Sequence, residues 1–180
     1  MKKIILGITG SIAAYKGADV ANELCKKGCD VQVIMTEAAQ ALITPLTFQA
    51  LTKNRVFTHV MQEDDPSRIV HVDLPQKWAD MLIIAPATAN IIAKIACGVA
   101  DDILSSMVLA TPGDMPKLIA PAMNTRMFEN AATAENLQKL VSRGWTVIPP
   151  RESRLACGYV GKGALAHVDT IVQALEEASR

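Results

Sequence analysis

Three segments set far apart in the chain each carry one residue of a kind that catalysis uses: His71 in IVHVDL, Asn124 in APAMNTRMF and Cys157 in RLACGYVGKG. An imidazole ordinarily titrates near neutrality, which lets a residue such as His71 accept a proton. The side-chain amide of Asn124 can donate to a carboxylate without adding a permanent charge. Cys157 stands beside Gly158, with Gly161 and Gly163 close behind. Glycine at that density suggests a mobile flap, in which a thiol can serve as an acid. Each residue also has a structural use: a histidine at the start of a helix or strand, an asparagine in an Asx turn, a cysteine that only packs. Taken singly, the three leave both uses open.

A fourth segment points to a ligand. Gly7-x-x-Gly10-Ser11 follows the apolar run Lys3–Ile8 and opens a helical pattern at Ala14, Ala18, Ala21 and Leu24. Free backbone N–H groups and the helix dipole favour a phosphate at such a turn, and Ser11 can add its hydroxyl. Any tight strand-to-helix turn also accepts glycine and serine. The dinucleotide pattern G-x-G-x-x-G is incomplete, because Gly10-Ser11 runs on into Ile12-Ala13-Ala14. The second apolar run ends in Met35-Thr36, with no acidic residue for an adenosine ribose. A mononucleotide is therefore favoured over NAD. Farther on, in Ala85-Pro86-Ala87-Thr88-Ala89-Asn90, Pro86 would stop a strand ladder, and Thr88 and Asn90 offer hydrogen bonds. The small alanines let a flat ring approach the backbone. Alone, this segment reads equally as a helix-capping turn.

The elements that must position these residues follow from periodicity. Lys3–Ile8, Val31–Met35, Met81–Ala85, Leu118–Ala120 and Thr146–Ile148 are short runs rich in Ile, Val and Leu and bounded by turn formers, as buried strands are. Helical patterns over residues 91–97, 102–110, 133–141 and 168–178 each fall beside one of them, and Gly28 stops the first helix. The alternation predicts an α/β fold: a single-domain, Rossmann-like (flavodoxin-like) parallel sheet over residues 1–180, with helices on both faces and ligands at the carboxyl ends of the strands. The stretch from Ala38 to Arg68 is less regular.

Bulk composition narrows the partners. The 180 residues, 50% of them hydrophobic, suit one compact core. Lys plus Arg and Asp plus Glu balance at 18 each, without a long basic run, so neither nucleic acid nor an anionic membrane is expected. No apolar stretch reaches the ~18 residues of a membrane helix. Gly7, Thr9, Gly10 and Ser11 interrupt the first apolar run too soon for a signal peptide. A cytoplasmic location is the default expectation. Cys25, Cys29 and Cys97 have no His/Cys pair to complete a metal set and are expected to be reduced, packed residues; no metal is expected. His59 and His167 match no motif and are expected at the surface.

Taken together, GSIAAYK, the His71 segment ahead of Ala79-Asp80, PAMNTRM and LACG with its following glycines resemble the flavin-containing cysteine decarboxylases, over nearly the whole chain. Within that family the likeness is to the branch acting on phosphopantothenoylcysteine in coenzyme A biosynthesis. The resemblance implies FMN as cofactor, with Gly10, Ser11, Ile12 and Thr36 about its phosphate end and Thr88, Ala89, Asn90 and Ala122 along the rest. It implies His71 as base, Asn124 as carboxylate ligand with Met127 as a wall, and Cys157 as acid. It also implies a homotrimer or a dodecamer built from trimers, with active sites between protomers. Since the chain ends at Arg180, a free-standing form is expected, supplied by a separate phosphopantothenoylcysteine ligase. Three departures stand out: Pro75-Gln76 in place of a more basic stretch, Phe128 where Trp or Tyr is usual, and Ala164-Leu165 where many relatives carry Arg-Met.

The chemistry explains why a redox cofactor belongs with these residues. Loss of CO2 from a cysteine amide leaves electrons on the α-carbon with no acceptor. Oxidation of CH2–SH to a thioaldehyde places C=S β to the carboxylate, so that decarboxylation yields an enethiol, which returning reduction and a proton convert to the saturated thiol. A peptidyl-cysteine decarboxylase stops at the enethiol, so the flap cysteine disfavours it. A flavin prenyltransferase would find no use for PAMN and LACG. A non-catalytic flavin-binding regulatory protein of the same fold typically lacks one catalytic residue or carries long acidic extensions, and this chain shows neither.

Overall fold

The structure, a computed structural model, describes residues 1–60, 68–156, 158 and 160–179. The strands β1 (Lys3–Ile8), β2 (Asp30–Met35), β3 (Met81–Ala87), β4 (Lys117–Pro121) and β5 (Trp145–Val147) form one parallel sheet in the order β2-β1-β3-β4-β5. Period-two alternation splits their side chains between two cores. Ile4, Leu6, Ile8, Ile83 and Ala85 enter the core beneath helices α1 (Ala14–Lys26) and α9 (Val168–Ala178), while Ile5, Leu82, Ile84 and Ile119 enter the opposite one. With both faces covered, the strands read as unbroken apolar runs, as parallel strands do.

The second core is closed by α5 (Ala89–Cys97), α6 (Ile103–Ala110) and α8 (Ala131–Ser142), whose buried residues include Ile91, Ile92, Leu104, Met107 and Leu140. Their starts are set by side-chain caps. Thr88 accepts from Ile91 N–H, Asn130 accepts from Ala132 N–H, and Asp102 and Ser105 form a reciprocal capping box. Lys94 adds ion pairs to Asp101 and Asp102 at 2.6 and 2.8 Å. Gly98 ends α5 in the left-handed conformation.

Several expectations need correction. The irregular stretch holds two short helices, α2 (Glu37–Gln40) and α3 (Pro45–Thr52), the latter opened by Pro45 and anchored by the fully buried Phe48. His71 lies on a one-turn helix, α4 (Val70–Asp73), that runs into a wide π turn over Leu74–Trp78. The Pro75-Gln76 departure falls in this turn, which Gln76 ties to α6 by donating to Ala110 O at 3.1 Å. The glycine-rich flap is bounded by an antiparallel pair of strands, β6 (Arg151–Arg154) and β7 (Val160–Ala164). Cys97, expected to pack, is exposed; Cys25 and Cys29 are partly buried, and burial pushes both thiols up. His59 and His167 are exposed as expected. No helix among the described residues is long and apolar enough to cross a membrane.

Candidate active site

The strand order reverses between β1 and β3, and in open α/β sheets ligands bind at such a switch point, beyond the carboxyl ends of the strands. A cavity of about 640 Å³ lies there, within the range of small-molecule and cofactor sites. Three loops and the β6–β7 hairpin enclose it.

The first loop follows β1. Its Ser11 N–H donates to Thr9 O, and the N–H groups of Ala13 and Ala14 turn back to Ser11. Among the described residues this leaves the N–H groups of Gly10 and Ile12 without an acceptor, and the Ser11 hydroxyl able to donate. A side chain at position 10 has no room, since a Cβ there would fall 2.5 Å from that of Ala38. The loop is held to the end of β3 by Thr9, a buried residue that sequence reasoning passed over. Its hydroxyl donates to Pro86 O at 2.7 Å and accepts from Thr88 N–H at 3.1 Å. Thr36 supports the loop from behind, with its N–H and its hydroxyl both directed to Ile8 O.

The third loop follows β4. Ala122 N–H donates to Ala87 O, which places Ala122 beside the end of β3. Asn124 accepts from Arg126 N–H through Oδ1 at 2.9 Å and caps the short helix α7 (Thr125–Phe128), so its Nδ2 is the donating end. The Asx turn and the ligand role thus coexist, because the cap fixes the amide plane. Met123 N–H donates to Gly163 O at 2.9 Å, docking the hairpin on this loop. Only glycine fits there: φ is +143°, and a Cβ would lie 2.2 Å from Met123 O.

Of the residues singled out from sequence, Gly10, Ser11, Ile12, Thr88, Ala89, Ala122, Asn124 and Met127 line the cavity. Thr36 and Asn90 do not: the first lies behind the phosphate loop, and the second is exposed on the first turn of α5. Nor does His71. Its Nδ1 is buried with no hydrogen-bond partner among the described residues, an arrangement that native structures seldom leave uncompensated. Cys157 lies outside the described residues; its neighbours Leu155 and Ala156 line the cavity. Sequence reasoning missed Lys16, Arg151 and Arg154, which among the described residues give the lining three cations and no acid. Only Lys16 had a usable signal, its place in the first turn after the loop.

These residues fit a flavin mononucleotide. The two unpartnered N–H groups and Ser11 suit one phosphate, while Ala89, Ala122 and Leu165 supply a low apolar wall for a planar ring. Among the described residues no group of acidic or sulfur side chains could hold a metal ion.

A 2-1-3-4-5 parallel sheet with a phosphate loop at its switch point defines the flavodoxin-like class of nucleotide-binding α/β proteins. Within that class, the chain belongs to the Flavoprotein family, whose profile matches residues 1–179. It is 52% identical over 176 residues to a probable phosphopantothenoylcysteine decarboxylase of Streptococcus mutans, covering 98% of either chain. It spans only 43% of the coenzyme A biosynthesis bifunctional protein of Bacillus subtilis. Among solved structures it matches a cysteine-to-serine mutant of PPC decarboxylase complexed with pantothenoylaminoethenethiol. That match has a TM-score of 0.86 and 30% identity, and covers 98% of this chain and 97% of that one. It also matches the FMN-dependent cysteine decarboxylase SpaF, with a TM-score of 0.85 and 32% identity over 100% and 98% of the two chains.

Proposed function

We propose that the chain, as a single flavoprotein domain over residues 1–180, decarboxylates phosphopantothenoylcysteine to phosphopantetheine with FMN bound. The observation that carries this reading is the meeting of the phosphate loop, the Thr88-Ala89 turn and the Asn124 cap on one cation-lined cavity. The flavin would supply the two-electron acceptor and donor that the substrate lacks. Gly10, Ser11 and Ile12 would hold its phosphate. Asn124 Nδ2 would donate to the substrate carboxylate, orienting it without a fixed charge that would oppose its departure, and Met127 would close the wall beside it. A ring nitrogen of His71 would take the thiol proton, and Cys157 Sγ would return one at the end. The test is anaerobic incubation of the flavin-loaded protein with phosphopantothenoylcysteine. We expect equal amounts of CO2 and phosphopantetheine; no CO2 would overturn the reading.

The same reading includes a homo-oligomer, a trimer or a dodecamer built from trimers, in the cytoplasm, with a separate ligase supplying substrate. Two observations support a site shared between protomers. His71 stands apart from the cavity that holds Asn124, and apolar side chains at the cavity mouth are exposed, Ile12 by 64%, Tyr15 by 56% and Met127 by 49%. His71→Asn and Asn124→Asp should each be inactive. Co-expressed in equal amounts, they should recover about a quarter of wild-type activity, because one site in four then draws both intact residues from different protomers. No recovery in verified mixed oligomers would place both residues in one protomer.

A further inference from the structure

The charge lining the cavity exceeds what the reactions at its two recognised ends use. The whole chain is neutral, yet among the described residues Lys16, Arg151 and Arg154 line this cavity and no acidic residue does. On the reading above, which this inference rests on, three anions must be held. The flavin phosphate has the N–H groups of the first loop, and the substrate carboxylate has Asn124. The substrate's own phosphate, at the far end of the pantothenoyl arm, has no partner among these.

The three cations are not equivalent. Lys16 belongs to the first turn after the phosphate loop, with its ammonium 5.8 Å from the centre of the Tyr15 ring. Arg154 is exposed at the end of β6. Arg151 is half-buried, and its Nε–H donates to Leu165 O at 3.0 Å. That bond fixes the guanidinium plane. Its four remaining N–H donors have no acceptor among the described residues, which is the fork that a phosphate takes in bidentate fashion. In the β6–β7 ladder Arg151 stands directly opposite Ala164, and both line the cavity. Opposed residues of an antiparallel pair share a face, so the small methyl of Ala164 leaves the room beside it to the arginine.

We propose that Arg151 binds the phosphate of the substrate, and that the protein distinguishes phosphorylated from unphosphorylated pantothenoylcysteine through it. The phosphate is remote from the reacting carbon, so the contact contributes uniform binding and its loss falls mainly on KM.

The experiment compares kcat/KM for phosphopantothenoylcysteine and for pantothenoylcysteine in the wild type, Arg151→Met, Arg151→Lys and Arg154→Met. Charge-assisted contacts of this kind predict that Arg151→Met lowers the preference for the phosphorylated substrate by about 10- to 100-fold. Arg151→Lys should keep part of it, because the charge stays while the fork is lost. The bound-flavin absorption spectrum, read on every variant, reports an intact site. An unchanged preference in Arg151→Met, or a collapse in Arg154→Met alone, would overturn the inference while leaving the decarboxylase reading in place. Loss of flavin from both Arg151 variants would make Arg151 a structural support of the hairpin and would also overturn it. Failure of the wild type to release CO2 from either compound would instead bring down the reading of the function itself.

Discussion

Gly163→Ala should abolish decarboxylation while the central sheet stays folded. The backbone at Gly163 has φ of +143°, a region that side-chain-bearing residues rarely enter, and the new Cβ would lie 2.2 Å from Met123 O. Neither conflict can be relieved by a rotamer change, because the obstacle is a carbonyl oxygen of the backbone. The hairpin must therefore move off the loop that carries Asn124, breaking the bond from Met123 N–H to Gly163 O. Arg151, Leu155 and Ala164 on one wall then separate from Ala122, Asn124 and Met127 on the other. A misplacement of about 1 Å can cost about a hundredfold in rate, and the loss here should be at least that. The sheet β2-β1-β3-β4-β5 shares no ladder with β6 and β7, so far-UV circular dichroism should change little. Activity within a few-fold of wild type would show that the docking of the hairpin does not shape the site.

The sequence was legible where one physical rule governed a segment. Lys3–Ile8 is buried on both sides, and so its run of apolar residues could be read as a parallel strand with its exact bounds. β6 and β7 were not legible for the opposite reason. RESR is polar throughout and VGKGA carries two glycines, so neither has strand composition; Gly163 of β7 docks on Met123, forty residues away in sequence. At the site, residues on the turns just after β1, β3 and β4 converged as expected, since the switch point gathers those turns in one place, whereas Thr36 after β2 stayed behind the loop. Arg151 and Arg154 carry no spacing that separates them from the other basic residues, and only the register opposite Ala164 marks the first of them. That His71 lies apart from the cavity could not be read at all, because a one-turn helix such as Val70–Asp73 is too short to show a period that would place it.

Cys157→Ser should separate the first half of the proposed reaction from the second. The substitution keeps the side chain close in size but replaces a thiol, with an ordinary pKa of ~8.5, by a far weaker acid. Oxidation of the substrate thiol and departure of CO2 ask for a proton acceptor and a held carboxylate, the tasks assigned to His71 and Asn124. Neither asks for an acid. The closing step does, because the enethiol carbon must gain a proton as the two electrons return. The variant, mixed anaerobically with phosphopantothenoylcysteine, should therefore release a burst of about one CO2 per bound flavin and then stop. Mass spectrometry of the quenched mixture should find a product two hydrogens lighter than phosphopantetheine. Repeated turnover to saturated phosphopantetheine would show that Cys157 is not the acid. Failure to release even the first CO2 would assign Cys157 to closing the hairpin over the substrate, a step that precedes all the chemistry.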